Sequence, residues 1–281
     1  MPDRTNRNQV FQQDAPPGVP VKNQMRDDFG YEVPTETVPL PSRGLVYAEG
    51  TPLSNATTID IRAMTAREED ILTSKALIKK GTVVTHLIQS CLVDKTIDAA
   101  KMLSGDRNAI MVAIRITGYG QEYVCDVECP ACENKFKNEF DLAQLPIRQL
   151  DIPPVEPHTN LFECALPLTK KVIRFKFLTG AEEEEIVTTQ ERKRKVGTIV
   201  DNLVTARLSA CVVSVDGNSD RNAVSSFVRG LPARDSFFLR KFIDANEPGV
   251  DMRSSVVCPS CDEESEVRMP IGAAFFWPDA G

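Results

Sequence analysis

The sequence predicts an α+β protein made of two related helix-plus-hairpin halves, an internal duplication joined by a four-cysteine, zinc-ribbon-like site. Three observations predict it. Two C-P-x-C motifs occur, Cys129-Pro130-Ala131-Cys132 and Cys258-Pro259-Ser260-Cys261. Strand-like alternation follows each of them, at Lys135 to Leu142 and Glu264 to Ile271. Upstream, a strand, an acidic capping box and a D-R-N-A tetrad recur in the same order 114 residues apart.

The elements follow in chain order. Residues 1–37 are expected to be a flexible arm: the segment is rich in Asn, Gln, Asp and Pro, contains Pro16-Pro17-Gly18-Val19-Pro20 and has no apolar periodicity. Such a stretch buries too little surface to offset its ordering entropy. Residues 38–150 form the first repeat unit. In it, Thr58 to Met64 alternates as a strand with Ile59, Ile61 and Ala63 on one side. Thr65-Ala66-Arg67-Glu68 then reads as a capping box, hydroxyl and carboxylate each satisfying free N–H groups at a helix start. Val84, Leu87, Ile88, Cys91 and Leu92 make the stripe of an amphipathic helix, with Cys91 as a small buried hydrophobe. Asp106-Arg107-Asn108-Ala109 is read as a further helix start before the first C-P-x-C hairpin.

Residues 151–281 form the second unit. Val172 to Leu178 alternates through Ile173, Phe175 and Phe177, and Thr179-Gly180-Ala181-Glu182 repeats the box. Cys211 lies in an apolar run, Leu208 to Val213, taken as equivalent to the helix of Cys91. Asp220-Arg221-Asn222-Ala223 repeats the tetrad before the second C-P-x-C. The cysteine motifs stand 129 residues apart rather than 114, so the second unit carries about 15 extra residues, assigned to the helical stretch Ala233 to Asn246.

The chain has eight cysteines and begins with a polar segment that is no secretory signal, so it is expected to act where it is made, with reduced thiols. A C-x-x-C turn points two thiolates at one ion, and two such knuckles complete a tetrahedral zinc site. Cys129, Cys132, Cys258 and Cys261 are therefore the expected ligands of a structural Zn, with Cys125, four residues before Cys129, as the rival. A redox pair would instead open a helix, whose N-terminus lowers the thiol pKa, and strands follow here. Cys164 reads as a strand residue without a partner.

Other functions are less well served. Glu68, Glu69 and Asp70, and Glu182 to Glu185, lie in first helical turns where negative charge complements the dipole, and Arg192-Lys193-Arg194-Lys195 closes a helix for the same reason. Forty acidic residues against 33 basic ones give a net charge of −7, which makes nucleic-acid binding unlikely on this reading. No apolar run reaches the length of about 18 residues that a membrane helix needs. Phosphate-loop, dinucleotide, zincin and nucleophile-elbow motifs are missing, and the two histidines, His86 and His158, have no acid–base neighbourhood. The expectation is a non-enzyme.

Leu40-Pro41-Ser42-Arg43-Gly44-Leu45-Val46-Tyr47, Met64 to Leu72, Gly105 to Ile110, Arg115 to Gly120, both C-P-x-C motifs and Phe275-Phe276-Trp277-Pro278 together resemble the T4-type bacteriophage baseplate hub and tail-assembly proteins of contractile-tailed phages, from about residue 38 to the end. The resemblance implies a structural or assembly protein of the baseplate hub that binds other tail and baseplate proteins. It implies a place in the virion tail, or in the host cytoplasm during assembly. The alternatives are a transient tail-assembly chaperone not retained in the virion and a zinc-ribbon nucleic-acid-binding regulator.

Overall fold

A computed structural model describes residues 25–26, 32–195, 202–269 and 273–276. Most of the expected arm, the strand end at Ile271 and the aromatic Trp277 with Pro278 lie outside these residues. Residues up to Thr35 cluster as one unit, in which β1 (Met25–Arg26) pairs antiparallel with β2 (Glu32–Val33). Residues from Glu36 onward form the other unit.

In that unit β3 (Thr35–Pro39) pairs with β4 (Thr58–Arg62), and Ile59 and Ile61 of β4 point inward as the alternation predicts. Helices α1 (Ala66–Thr73), α2 (Lys75–Lys80), α3 (Val83–Cys91) and α4 (Ser104–Tyr119) follow. The antiparallel hairpin β5 (Glu122–Glu128) and β6 (Lys135–Asp141), then β7 (Ile147–Arg148), complete the first half. The second half opens with β8 (Phe162–Ala165) and β9 (Val172–Phe175), continues through α5 (Gly180–Lys195) and α6 (Leu203–Cys211), and returns to the sheet in β10 (Val212–Val215). Helices α7 (Arg221–Arg229) and α8 (Ala233–Asn246), the short β11 (Gly249–Val250) and the hairpin β12 (Arg253–Val257) with β13 (Glu264–Arg268) end it. Mixed helices and small antiparallel sheets make this α+β.

Both capping boxes form, and both do more than cap. Glu68 accepts from Thr65 N (2.9 Å) and Oγ1 (2.6 Å), but it is fully buried and also takes the Arg62 guanidinium (2.5 and 3.1 Å) and Ser90 Oγ (2.5 Å). Burial alone would raise its pKa; the Arg62, Ser90 and Thr65 donors outweigh that and bring it down to about 2. Glu182 accepts from Thr179 N and Oγ1 (both 2.9 Å) and pairs with Lys176. The expectation that these carboxylates chiefly serve the helix dipole is therefore incomplete: each also receives a cation from the preceding strand segment.

Two further expectations need correction. The run Leu208 to Val213 is not one helix, since α6 stops at Cys211 and Val212 begins β10 opposite Phe175. The tetrads are not equivalent either. Asp220 is the N-cap of α7 and accepts from Ala223 N (2.8 Å), whereas Asp106 is the third residue of α4. The buried Asp106 carboxylate accepts from Ser42 N (2.9 Å), Ser42 Oγ (2.6 Å) and Tyr47 Oη (2.6 Å), tying down the β3–β4 connection. Its mechanical counterpart is Asp235, third residue of α8, which accepts from Leu168 N (2.8 Å), Thr169 N (2.9 Å) and Thr169 Oγ1 (2.7 Å) in the β8–β9 connection. Asp106 and Asp235 stand 129 residues apart, the spacing of the cysteine motifs.

Two cores result. One joins β3, β4, α3 and α4 with both hairpins, through Tyr123, Val127 and Phe140 on one side and Met252, Val256 and Met269 on the other. Phe275 and Phe276 close it, Phe275 lying edge-on to Tyr123 at 5.0 Å with its carbonyl accepting from Arg115 Nε (3.1 Å). The other core holds Phe162, Phe175 and Phe177 with α6, α7 and α8. They meet where Ser104 N donates to Leu178 O (2.9 Å), Gly180 N donates to Met102 O (3.0 Å), and Arg107 pairs with Glu184 (3.0 Å).

At this seam Gly105 has no room for a side chain, since a Cβ would lie 1.6 Å from the carbonyl oxygen of Pro248. Gly105→Ala should cost about 3 kcal/mol in urea unfolding, while Gly230→Ala, whose nearest neighbour would be 3.6 Å away, should stay within about 1 kcal/mol. Glu68 supplies a pH test. Its folded-state pKa is depressed, so its contribution is present above the ordinary value of 4.5 and lost as pH falls toward about 2. Across that window the stability difference between wild type and Glu68→Gln should shrink; a constant difference would contradict the ion-pair assignment.

Candidate metal centre

The two C-P-x-C motifs sit at the tips of β5–β6 and β12–β13, and the tips are built alike. Cys129 N donates to Asn134 O (2.9 Å) and Glu133 N to Cys129 O (2.9 Å); Cys258 N donates to Glu263 O (3.0 Å) and Asp262 N to Cys258 O (2.9 Å). Each proline presets the backbone after the first cysteine and removes a donor that the turn would leave unpaired. Each chain then reverses through a left-handed residue, Glu133 at φ 58° and Asp262 at φ 56°. The first cysteine of each motif is buried and the second is exposed.

The four sulfurs converge. The Sγ atoms of Cys129, Cys132, Cys258 and Cys261 all lie within 4.8 Å of one another. The pairs Cys129–Cys261 and Cys132–Cys258, each linking one hairpin to the other, are 3.7 Å apart. That is too long for a disulfide of about 2.05 Å. It is close to the edge, about 3.8 Å, of a tetrahedron whose corners stand about 2.3 Å from a central zinc. The donor set therefore fits a metal ion, and these four cysteines could hold one.

Electrostatics agree with geometry. For Cys258, burial opposes ionisation, but the N–H groups of Ser260 and Cys261 and the thiols of Cys132 and Cys261 bring its pKa down to about 6. For Cys261, the Glu263 N–H favours the thiolate, yet the neighbouring cysteines push the pKa up to about 12. Cys132 is likewise raised, against its bond from Asn134 N–H. Thiolates packed this closely repel, so full ionisation needs a cation among them. Between Cys129 and Lys135 and between Cys258 and Glu264, the one cation is Lys135, and it faces Glu128 at 3.5 Å.

The other cysteines stand apart. Cys91 and Cys211 end α3 and α6 in the two cores, where burial pushes both thiols up to about 12. Cys164 is buried on β8. Cys125 is half-buried on β5 opposite Asn138 and is not one of the converging group. His86 is exposed on α3, and His158 Nδ1 lies 3.3 Å from Ser54 Oγ. Sequence reasoning reads Asp106 only as a helix start and misses its anchoring role, and it misses altogether Asp235, which carries no motif beyond a carboxylate in a first helical turn.

A family model described as T4 bacteriophage base plate protein matches residues 48–277. The chain belongs to that family. The match takes in both cysteine motifs, both capping boxes and both aspartate anchors, so this baseplate family protein carries the converging thiols within its family region. No curated protein and no solved structure matches the chain. Among the described residues, no helix is long and apolar enough to cross a membrane.

The left-handed residues offer a local test. An L-residue in that region costs about 1 kcal/mol that glycine does not incur. Glu133→Gly and Asp262→Gly should each preserve metal content and stabilise the chain by up to about 1 kcal/mol in denaturant titration, less the entropy glycine adds to the unfolded chain.

Proposed function

We propose that this chain is a non-enzymatic structural or assembly protein of a phage tail baseplate hub, in which one structural zinc staples two related halves and whose surface binds other tail proteins. The observation that carries the reading is the convergence of four sulfurs, two from each half, in a chain of the baseplate family. Cys129, Cys132, Cys258 and Cys261 would hold the ion. Four thiolates suit zinc and leave no open position for an activated water, which supports a structural rather than a catalytic centre.

Several correspondences support a duplicated origin for the units 38–150 and 151–281. Arg62–Glu68 on one side matches Lys176–Glu182 on the other, 114 residues later, with the same threonine cap. In each half a helix ends in a buried cysteine, and the next residue bridges to the strand that precedes the capping box: Leu92 to Ile61, and Val212 to Phe175. Asp106 and Asp235 are offset by 129 residues, as are Cys129 and Cys258, so each anchor stands equally far from its cysteine motif. On this reading α8 answers to α4 rather than being the extra stretch. The surplus divides instead into six residues before Cys211 and nine around α7.

Two measurements test the proposal. Chain purified without added metal should contain about one zinc. Cys129→Ser and Cys258→Ser should lose it equally and lower stability by several kcal/mol, a fraction of the roughly 10–16 kcal/mol found for small zinc peptides, while Cys125→Ser should keep it. Mass spectrometry of purified particles should find the chain in stoichiometric amount with other baseplate proteins. Presence in assembly intermediates but not in particles would assign it to a transient chaperone, and salt-dependent retention on DNA or RNA would favour a nucleic-acid regulator.

A further inference from the structure

Between the two halves runs a groove of about 1290 Å³, floored where α4 meets the Pro248–Gly249 backbone and walled by α5 and α6 on one side and α8 with the base of β12–β13 on the other. Its lining differs from the rest of the surface in two ways. Four apolar side chains along it, Val187, Leu203, Val204 and Phe237, are 42–54% exposed. In a chain of net charge −7, seven cationic side chains face six acidic ones here.

The acidic side chains are largely spent. Glu184 is paired with Arg107, Glu183 with Arg207 (3.2 Å) and Asp251 with Arg253 (2.7 Å). Burial, with Glu183 nearby, pushes the Glu247 carboxyl up to about 7, and among the described residues Glu191 and Asp244 make no ion pair. Among the described residues, Arg240, Lys241 and Arg268 make no ion pair. Lys241 and Arg240 instead lie over the exposed Phe237 ring, at 5.0 and 6.0 Å from its centroid, one helical turn away on α8.

We propose that this groove receives an acidic amphipathic segment of another tail protein. Apolar side chains of the segment would cover Val187, Leu203, Val204 and Phe237, and its carboxylates would pair with Arg240, Lys241 and Arg268. Exposed apolar groups rimmed by unpaired cations recognise such a segment by charge complementarity, which sets orientation and association rate. The four exposed apolar side chains argue against a polyphosphate backbone as the occupant, which would leave them uncovered. The inference rests on the baseplate reading for the identity of the partner, and on the groove alone for its chemistry.

The test uses the full-length chain during phage assembly, with a photo-crosslinking amino acid in place of Val187 or Val204 and the products sequenced by mass spectrometry. The expected result is a crosslink to one segment of another tail protein, rich in apolar residues and with more Asp and Glu than Lys and Arg. Arg240→Glu with Lys241→Glu should lower its yield about tenfold at unchanged zinc content and melting temperature, and Arg240→Gln with Lys241→Gln should give a smaller loss. Crosslinks to residues of this chain, to a second copy, to nucleic acid or to a basic segment would overturn the proposal, as would no crosslink or a yield indifferent to both variants. An acidic segment from a host protein would keep the groove's chemistry and remove the baseplate reading. Stoichiometric presence in particles without any crosslink would do the reverse.

Discussion

Four sulfurs from positions 129 residues apart are held within 4.8 Å of one another, and the rest of the architecture is arranged around that closeness. Each hairpin tip supplies two donors, too few to hold a metal ion in a closed tetrahedral site. Metal affinity is therefore conditional on both hairpins being folded and docked, and a bound ion in turn favours the docked state. The bases of the two hairpins also meet. There Tyr123 and Val127 from one hairpin and Met252 and Val256 from the other complete a single core.

The seam between the halves adds interactions of a different kind. Its backbone bonds, Ser104 N to Leu178 O and Gly180 N to Met102 O, behave as a sheet contact of one bridge. Its close approach at Gly105 makes it intolerant of even a methyl group. The buried Asp106 and Asp235 each anchor a loop of their own half by three donors. Buried carboxylates of this kind are costly unless hydrogen-bonded. At Asp235 burial is outweighed by the donors, which hold the carboxyl below the usual carboxylate range, whereas at Asp106 burial outweighs them and raises it. The groove between α5, α6 and α8 opens from this seam and leaves Val187, Leu203, Val204 and Phe237 exposed.

What could be read from the sequence followed from local physics. Alternation at Thr58 to Met64, the two capping boxes and the C-P-x-C knuckles each encode structure within about ten residues, and all of them form. The correspondence of Asp106 with Asp235 was hidden because the two segments share little besides the aspartate. The repeated D-R-N-A was the louder signal, yet its two aspartates take different places, Asp106 inside α4 and Asp220 as the cap of α7. Tetrads compare side chains, whereas the anchor is defined by its third position in a helix and by the loop it holds. Likewise Val212 continues the apolar run of α6, and only pairing with Phe175 makes it a strand residue. Long-range partners such as Arg107 with Glu184, and the groove they border, leave no periodic trace along the chain.

The account stands on the metal that the four converging cysteines would hold in common. X-ray absorption at the zinc edge, on full-length chain purified without added metal, reads the ligand shell directly. Four sulfur neighbours at about 2.3 Å, with no oxygen or nitrogen shell, are what the geometry predicts. A shell of two sulfurs completed by lighter atoms, or a folded chain without zinc, would contradict it.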